Sequence, residues 1–276
     1  MQAEAFSWTT SDGLEIYAVN WPCPEPIAVV GLIHGLGEHV HRYEHLVDYF
    51  NRHQIATIGY DRRGHGRSEG KKGHTLSYDA FLDEIASLLV EAEERYPNVP
   101  VFLYGHSMGG NLLLNYVLKR HPNIKGAIAS APHIRLAFEP SAVMVGLGKL
   151  MRGIFPAFTQ PNGLSVEQLS RDQAIVDAYI ADPLVHDRLT AITGMSMLES
   201  GVYLDQYEGN FPVPLLLMHG GKDGITSAPA SKEFGERVSG SIQVKIWEGL
   251  FHEIHNEPEQ DQVFDLALGW IKEQLA

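Results

Sequence analysis

Short apolar runs separated by longer amphipathic stretches set the rhythm of this chain. Residues 4 to 21 alternate apolar and polar positions around a break at Ser11-Asp12-Gly13, which predicts two strands joined by a turn. Four apolar runs without strict alternation follow, at Val29 to Ile33, Ile55 to Tyr60, Val101 to Tyr104 and Ala127 to Ala129. Strands covered on both faces of a parallel sheet have this pattern, and the stretches between them carry helical periodicity, as in Tyr78 to Tyr96 and Asn111 to Arg120. After Pro212 the rhythm resumes with a strand over Leu215 to Met218, a helix near Ser227 to Val238, a strand over Gln243 to Trp247 and a final helix over Gln260 to Leu275. The predicted class is α/β, with a mostly parallel central sheet flanked by helices.

From Pro132 to about Phe211 that rhythm stops, because the stretch offers helical patterns and loops but no convincing strand. The chain therefore divides into a core part (1–131), an inserted helical cap or lid (132–211) and a second core part (212–276). In the cap, Val143, Leu147, Leu150, Met151 and Ile154 share one helical face, and Phe155 and Phe158 extend it. Two readings fit the stripe: core packing of an ordinary helix, or a lid that covers an acyl chain or touches lipid. Charge supports the lid, since residues 133–163 hold Arg135, Lys149 and Arg152 against Glu139 in a chain of net charge -13.

Composition narrows the partners. The 34 acidic residues against 21 basic ones oppose broad binding to nucleic acid phosphates, so an uncharged or weakly charged ligand fits better. Cys23 is the single cysteine, which excludes an intramolecular disulfide and a cysteine-rich metal site. The N-terminus lacks a basic start followed by an apolar run, and no stretch approaches the ~18 uncharged apolar residues of a membrane span. A cytoplasmic location is expected, with any membrane contact peripheral.

The candidate chemistry sits at the ends of the predicted strands. The run Val101 to Tyr104 leads into Gly105-His106-Ser107-Met108-Gly109-Gly110, and a helical pattern starts near Met108. This is G-x-S-x-G between strand and helix, a turn so tight that glycines are needed where backbone approaches backbone, leaving the serine hydroxyl exposed at a helix N-terminus. A serine is a poor nucleophile until a base takes its proton, and that base must be held in one tautomer by a carboxylate. Asp223 leaves the buried strand Leu215 to Met218 through His219-Gly220-Gly221-Lys222, and His252 follows the last strand in Glu248-Gly249-Leu250-Phe251-His252. Serine, acid and histidine thus occur in the order this architecture requires. The turn His34-Gly35-Leu36-Gly37 follows another strand, and the N–H groups of Leu36 and Met108 are candidate donors to an oxyanion.

Other chemistries fit less well. Among the 14 histidines, His39 with His41 and His252 with His255 invite a metal, but H-E-x-x-H is absent and no third ligand recurs, so no metal is expected. The run Gly64 to Gly70 lacks the helix and acidic residue of a dinucleotide loop. His34 and His219 are read as satisfying buried backbone near strand ends, and His65 as bracing its loop.

With these residues in view, the chain resembles the α/β-hydrolase superfamily, and within it the monoacylglycerol lipase and lysophospholipase-like branch. The likeness covers nearly the whole chain. Ser107 in GHSMGG, Asp223 in HGGKD and His252 in EGLFHE carry the superfamily resemblance. The segment His34 to His39 followed by Arg42-Tyr43, the segment Tyr60 to Ser68, and His255 carry the branch. The resemblance implies a lipid ester as substrate, a deep apolar channel under a cap that associates with membranes or micelles, and no cofactor. It also implies that Glu38, Arg42 and His255 line the pocket for the glycerol hydroxyls. Each has a second reading: Glu38 pairing with Arg42 to brace the oxyanion loop, and His255 capping the turn after His252. Vertebrate members carry a cysteine where this chain has Thr226. A lysophospholipase, a general carboxylesterase and an aminopeptidase of the same superfamily remain alternatives.

Overall fold

Runs of apolar residues with side chains on both faces must be sandwiched, and in the computed structural model, which describes residues 2–276, they are. Eight strands form one sheet in the order β1-β2-β4-β3-β5-β6-β9-β10. These are β1 (Glu4–Thr9), β2 (Glu15–Trp21), β3 (Ala28–Ile33), β4 (Ile55–Tyr60), β5 (Val101–His106), β6 (Gly126–Ser130), β9 (Leu215–Gly220) and β10 (Ile242–Trp247). The first hairpin joins antiparallel, and every pair from β4 to β10 is parallel. This is the α/β-hydrolase fold.

Side-chain period two splits the core into two layers. Val29, Leu103, Leu215 and Leu217 face α2 (Tyr78–Arg95), α3 (Met108–Arg120) and α7 (Ala228–Arg237). Val30, Leu32, Phe102, Leu216 and Met218 face α1 (Glu44–Arg52) and α8 (Gln260–Leu275). Each such fully buried aliphatic or aromatic side chain contributes about 1.5–3 kcal/mol. The parallel register brings the C-terminal ends of β3, β5, β6, β9 and β10 to one edge, where ligands bind in open α/β sheets.

Between β6 and β9 lie α4 (Ala142–Ile154), α5 (Gln173–Ala181) and α6 (Ala191–Gln206). The absence of strands expected there does not hold: β7 (Thr159–Pro161) and β8 (Arg188–Thr190) pair antiparallel. Three-residue strands are too short to show a period, and their place is set by contacts with the core. His186 N–H donates to Gly37 O at 2.8 Å and Thr190 N–H to Gly73 O at 3.1 Å. Gly37 has φ +79°, and a Cβ there would come within 2.4 Å of His186 O, so the seam requires glycine. Helix α6 is deeply embedded, with Leu204 at 0% exposure in the same core layer as α3. Helix α4 buries no residue at all. Val143, Leu147, Leu150 and Ile154 are exposed, while Met144, Val145 and Gly148 face a cavity. Core packing therefore does not account for the stripe.

Candidate active site

Ser107 occupies the tight turn between β5 and α3 with φ 55° and ψ -117°. A Cβ on Gly109 would stand 2.1 Å from Ile33 O, and one on Gly105 2.5 Å from Gly109 O. The glycines thus let α3 start directly against β3 and hold the serine out. His252 Nε2 lies 2.9 Å from Ser107 Oγ, and His252 Nδ1 lies 2.6 Å from Asp223 Oδ2. The three side chains proposed from sequence form one hydrogen-bonded chain.

Asp223 is held more firmly than the sequence suggested. Its Oδ1 accepts the N–H groups of Ile225 at 2.7 Å and Thr226 at 2.9 Å, and the Thr226 hydroxyl donates to Oδ2 at 2.8 Å. His219 also reaches Oδ2, at 3.0 Å, with Ser231 Oγ 2.8 Å from its Nδ1. The ring thus serves the acid first, with backbone a longer contact at 3.3 Å to Thr226 O, which corrects the expectation for His219. His34 does satisfy backbone, accepting Arg62 N–H at 3.0 Å and facing Gly35 O at 2.8 Å. Burial alone would raise the pKa of Asp223, but the charge of His252 and the bonds from His219 and His252 hold it well below the carboxylate range. Burial lowers His252, and the Asp223 carboxylate more than offsets this, so its pKa lies above the ordinary histidine value.

Leu36 and Met108 line the same cavity as Ser107, and among the described residues neither N–H has an acceptor. The turn carrying Leu36 is pinned by Glu38, which accepts Gly35 N–H and the Tyr43 hydroxyl, the latter at 2.7 Å. Arg42 joins Glu38 to Glu253. Its guanidinium binds both Glu253 oxygens, at 2.7 and 2.8 Å, and lies 4.7 Å from the Tyr179 ring centroid. Burial would raise the pKa of Glu253, but Arg42 holds it well below the carboxylate range. Glu253 links the oxyanion turn to the histidine loop and was not singled out from sequence. Its one local sign is adjacency to His252. His255 is fully buried, stacked 4.7 Å from Tyr43, with neither ring nitrogen hydrogen-bonded. Glu38, Arg42 and His255 lie together, but none lines the cavity beside Ser107.

That cavity measures about 340 Å³ and runs under α4 between Leu136, Phe138, Met144, Leu189, Met195 and Met197. No Asp, Glu, Lys or Arg lines it. A second recess of about 400 Å³ lies at the β1–β2 turn, where Arg63 is already paired with Asp12 and Glu84. Among the described residues, no three of His, Cys, Asp and Glu converge as metal ligands would.

The chain is 37% identical over its full length to an uncharacterized abhydrolase domain-containing protein of Dictyostelium discoideum, and spans 30% of that protein. It is 33% identical to monoacylglycerol lipase of Mycolicibacterium smegmatis, covering 94% of this chain and 93% of the relative. The crystal structure of Paleococcus ferrophilus monoacylglycerol lipase superposes with a TM-score of 0.87 at 32% identity, over 94% of this chain and 99% of that one. The family described as serine aminopeptidase, S33 matches residues 24–259, and this chain belongs to that family of α/β-hydrolases.

Proposed function

We propose that the protein hydrolyses the carboxylic ester of a neutral single-chain lipid, with monoacylglycerol the best fit, through an acyl-enzyme on Ser107. The observation that carries this reading is the Ser107–His252–Asp223 chain opening into an apolar cavity without a charged wall. Ser107 Oγ attacks the carbonyl carbon as its proton passes to His252 Nε2, and the carbonyl electrons move onto oxygen facing the Leu36 and Met108 N–H groups. His252 returns the proton to the departing alcohol, and water then releases the fatty acid by the same steps. An aminopeptidase needs an anion for the substrate ammonium, and a lysophospholipase gains from a cation near the phosphate. Burying either charge unpaired is costly, and the cavity offers neither partner. A panel of labelled monoacylglycerol, lysophospholipid and proline amide tests the reading: monoacylglycerol should give the highest kcat/KM, and faster turnover of the amide overturns it.

The head-group role that the resemblance implies is proposed here in divided form. Glu38 and Arg42 are committed to each other, to Gly35 and to Glu253, which supports bracing. His255 keeps two unpartnered ring nitrogens for a glycerol hydroxyl, although it is fully buried and outside the lining of the cavity, so that contact needs the wall around it to move. Removing Glu38 leaves Arg42 paired with Glu253 but unpairs the buried Gly35 N–H and Tyr43 hydroxyl, at about 1–3 kcal/mol each. Glu38→Ala should therefore lower stability on that scale and slow monoacylglycerol and a p-nitrophenyl ester of equal chain length by similar factors. A loss confined to monoacylglycerol would instead return Glu38 to the head-group site.

Peripheral contact with a membrane or micelle through α4 is also proposed, for a protein working from the cytoplasm. No described helix is long and apolar enough to cross a membrane. Val143, Leu147, Leu150, Ile154 and Phe155 form an exposed apolar face beside Lys149. Leu147→Ser with Ile154→Ser should leave thermal stability unchanged, because both side chains are 44% or more exposed. Each methylene withdrawn from lipid forfeits about 0.8 kcal/mol, so the double variant should lose about tenfold or more on long-chain monoacylglycerol in vesicles. Hydrolysis of a soluble acetate ester should stay normal, and equal losses on both substrates would remove the membrane role.

A further inference from the structure

One buried polar side chain on the cavity wall takes no part in the hydrogen-bonded chain at Ser107 and has no hydrogen bond of its own. His133 follows β6, and its backbone is fixed on both sides. Its N–H donates to Ser107 O at 3.1 Å, and its carbonyl accepts Asn111 Nδ2 at 2.7 Å. Asn111 is held in turn by the Tyr78 hydroxyl at 2.7 Å and the Ser200 hydroxyl at 2.9 Å. Among the described residues the imidazole has no such partner. The residue is 8% exposed, and Nδ1 is buried with no hydrogen bond. Gly201 of α6 lies against one edge of the ring, since a Cβ there would stand 3.2 Å from Cε1 and 3.5 Å from Nδ1. The Nε2–Cδ2 edge is therefore the one left to the cavity, which His133 lines together with Ser107, Leu36 and Met108.

Burial and the neighbouring His252 push the pKa of His133 down to about 4, so the ring is neutral where His252 can act as a base. A neutral imidazole offers a donor or an acceptor according to its tautomer and carries no charge for a carboxylate, phosphate or ammonium. A hydroxyl, which can play either part, is its natural complement. We propose that His133 is a specificity-determining residue that hydrogen-bonds, through Nε2, a hydroxyl borne by the substrate close to the scissile ester. This rests on the ester-hydrolase reading above. The hydroxyl has two possible sources, the alcohol portion, as in a glyceryl ester, or the acyl portion, as in a hydroxyacyl ester.

Three esters of one chain length separate these sources: 1-octanoylglycerol, propyl octanoate and propyl 3-hydroxyoctanoate. The wild type should favour one hydroxylated ester over propyl octanoate by about tenfold or more in kcat/KM, because the plain ester covers Nε2 without giving it a partner. That ratio should collapse toward one in His133→Leu and recover in His133→Gln, whose amide keeps a donor and an acceptor. Preference for octanoylglycerol assigns the alcohol side, and preference for the hydroxyacyl ester the acyl side. Equal wild-type rates on all three esters overturn the proposal without any variant, as does an unchanged ratio in His133→Leu. Fluorophosphonate labelling of Ser107 reports whether each variant folds, and His133→Met carries the same comparison if the leucine variant does not. Wild-type labelling without turnover of any ester overturns the ester reading, and the proposal with it.

Discussion

Ser107→Ala is expected to lower kcat for ester hydrolysis by about 10⁶-fold, the scale seen when the serine of a comparable constellation is removed, and to abolish fluorophosphonate labelling. No other hydroxyl is placed to substitute. Thr226 Oγ1 lies 3.2 Å from His252 Nδ1, on the acid side of the ring, and donates to Asp223. Labelling that persists in Ser107→Ala would refute the nucleophile assignment. The same position carries a second, opposite expectation about stability. At φ 55° and ψ -117° a residue with a Cβ is strained by about 1–3 kcal/mol, and alanine keeps that strain where glycine relieves it. Glycine's extra unfolded-chain entropy costs only about 0.4–1 kcal/mol, so the relief wins. Ser107→Gly should be as inactive as Ser107→Ala but resist urea to a higher midpoint. Equal midpoints would mean that the turn stores no strain at this residue.

The strands and the Ser107, Asp223 and His252 arrangement were legible because each rests on a local signal. The buried strands are short apolar runs, and all three side chains leave strand ends that a parallel sheet must gather on one edge. The supports of the site were harder to read because they are long-range. Glu253 meets Arg42 across 211 positions, and nothing in either neighbourhood specifies the pairing. His219 stands four positions before Asp223, yet only the curl of the chain through Gly220 and Gly221 turns its Nε2 toward the acid. The strands β7 and β8 exist because residues 186 to 190 bond to Gly37 and Gly73, a contact no periodicity encodes. His133 stayed hidden because one histidine beyond a strand looks like any other until its neighbours are known to leave the ring unpaired.

Asp223→Asn should reduce kcat by about 10⁴-fold while leaving the fold intact, and the reason lies in the two oxygens of the acid. Oδ1 sits on the N–H groups of Ile225 and Thr226, at 2.7 and 2.9 Å. Only an oxygen can occupy that place, so the asparagine carbonyl takes it and the amide NH₂ is forced into the position of Oδ2. There it meets His252 Nδ1, where the wild-type carboxylate accepts at 2.6 Å. An NH₂ group can only donate, so Nδ1 must become the acceptor and the imidazole proton moves to Nε2. Nε2 then presents a proton to Ser107 Oγ, when catalysis requires it to accept one. The change also removes the anion that raises the His252 pKa. In the wild type the rate depends on neutral His252, so kcat/KM is low at acid pH and rises as pH climbs through the raised pKa. Without the carboxylate, the residual rate of Asp223→Asn should reach half its plateau at lower pH than the wild type. Profiles of kcat/KM on p-nitrophenyl butyrate from pH 5 to 9 read both effects. A loss of less than about tenfold would show that Asp223 does not fix the tautomer of His252, and a half-rise at the wild-type pH that it does not set its basicity.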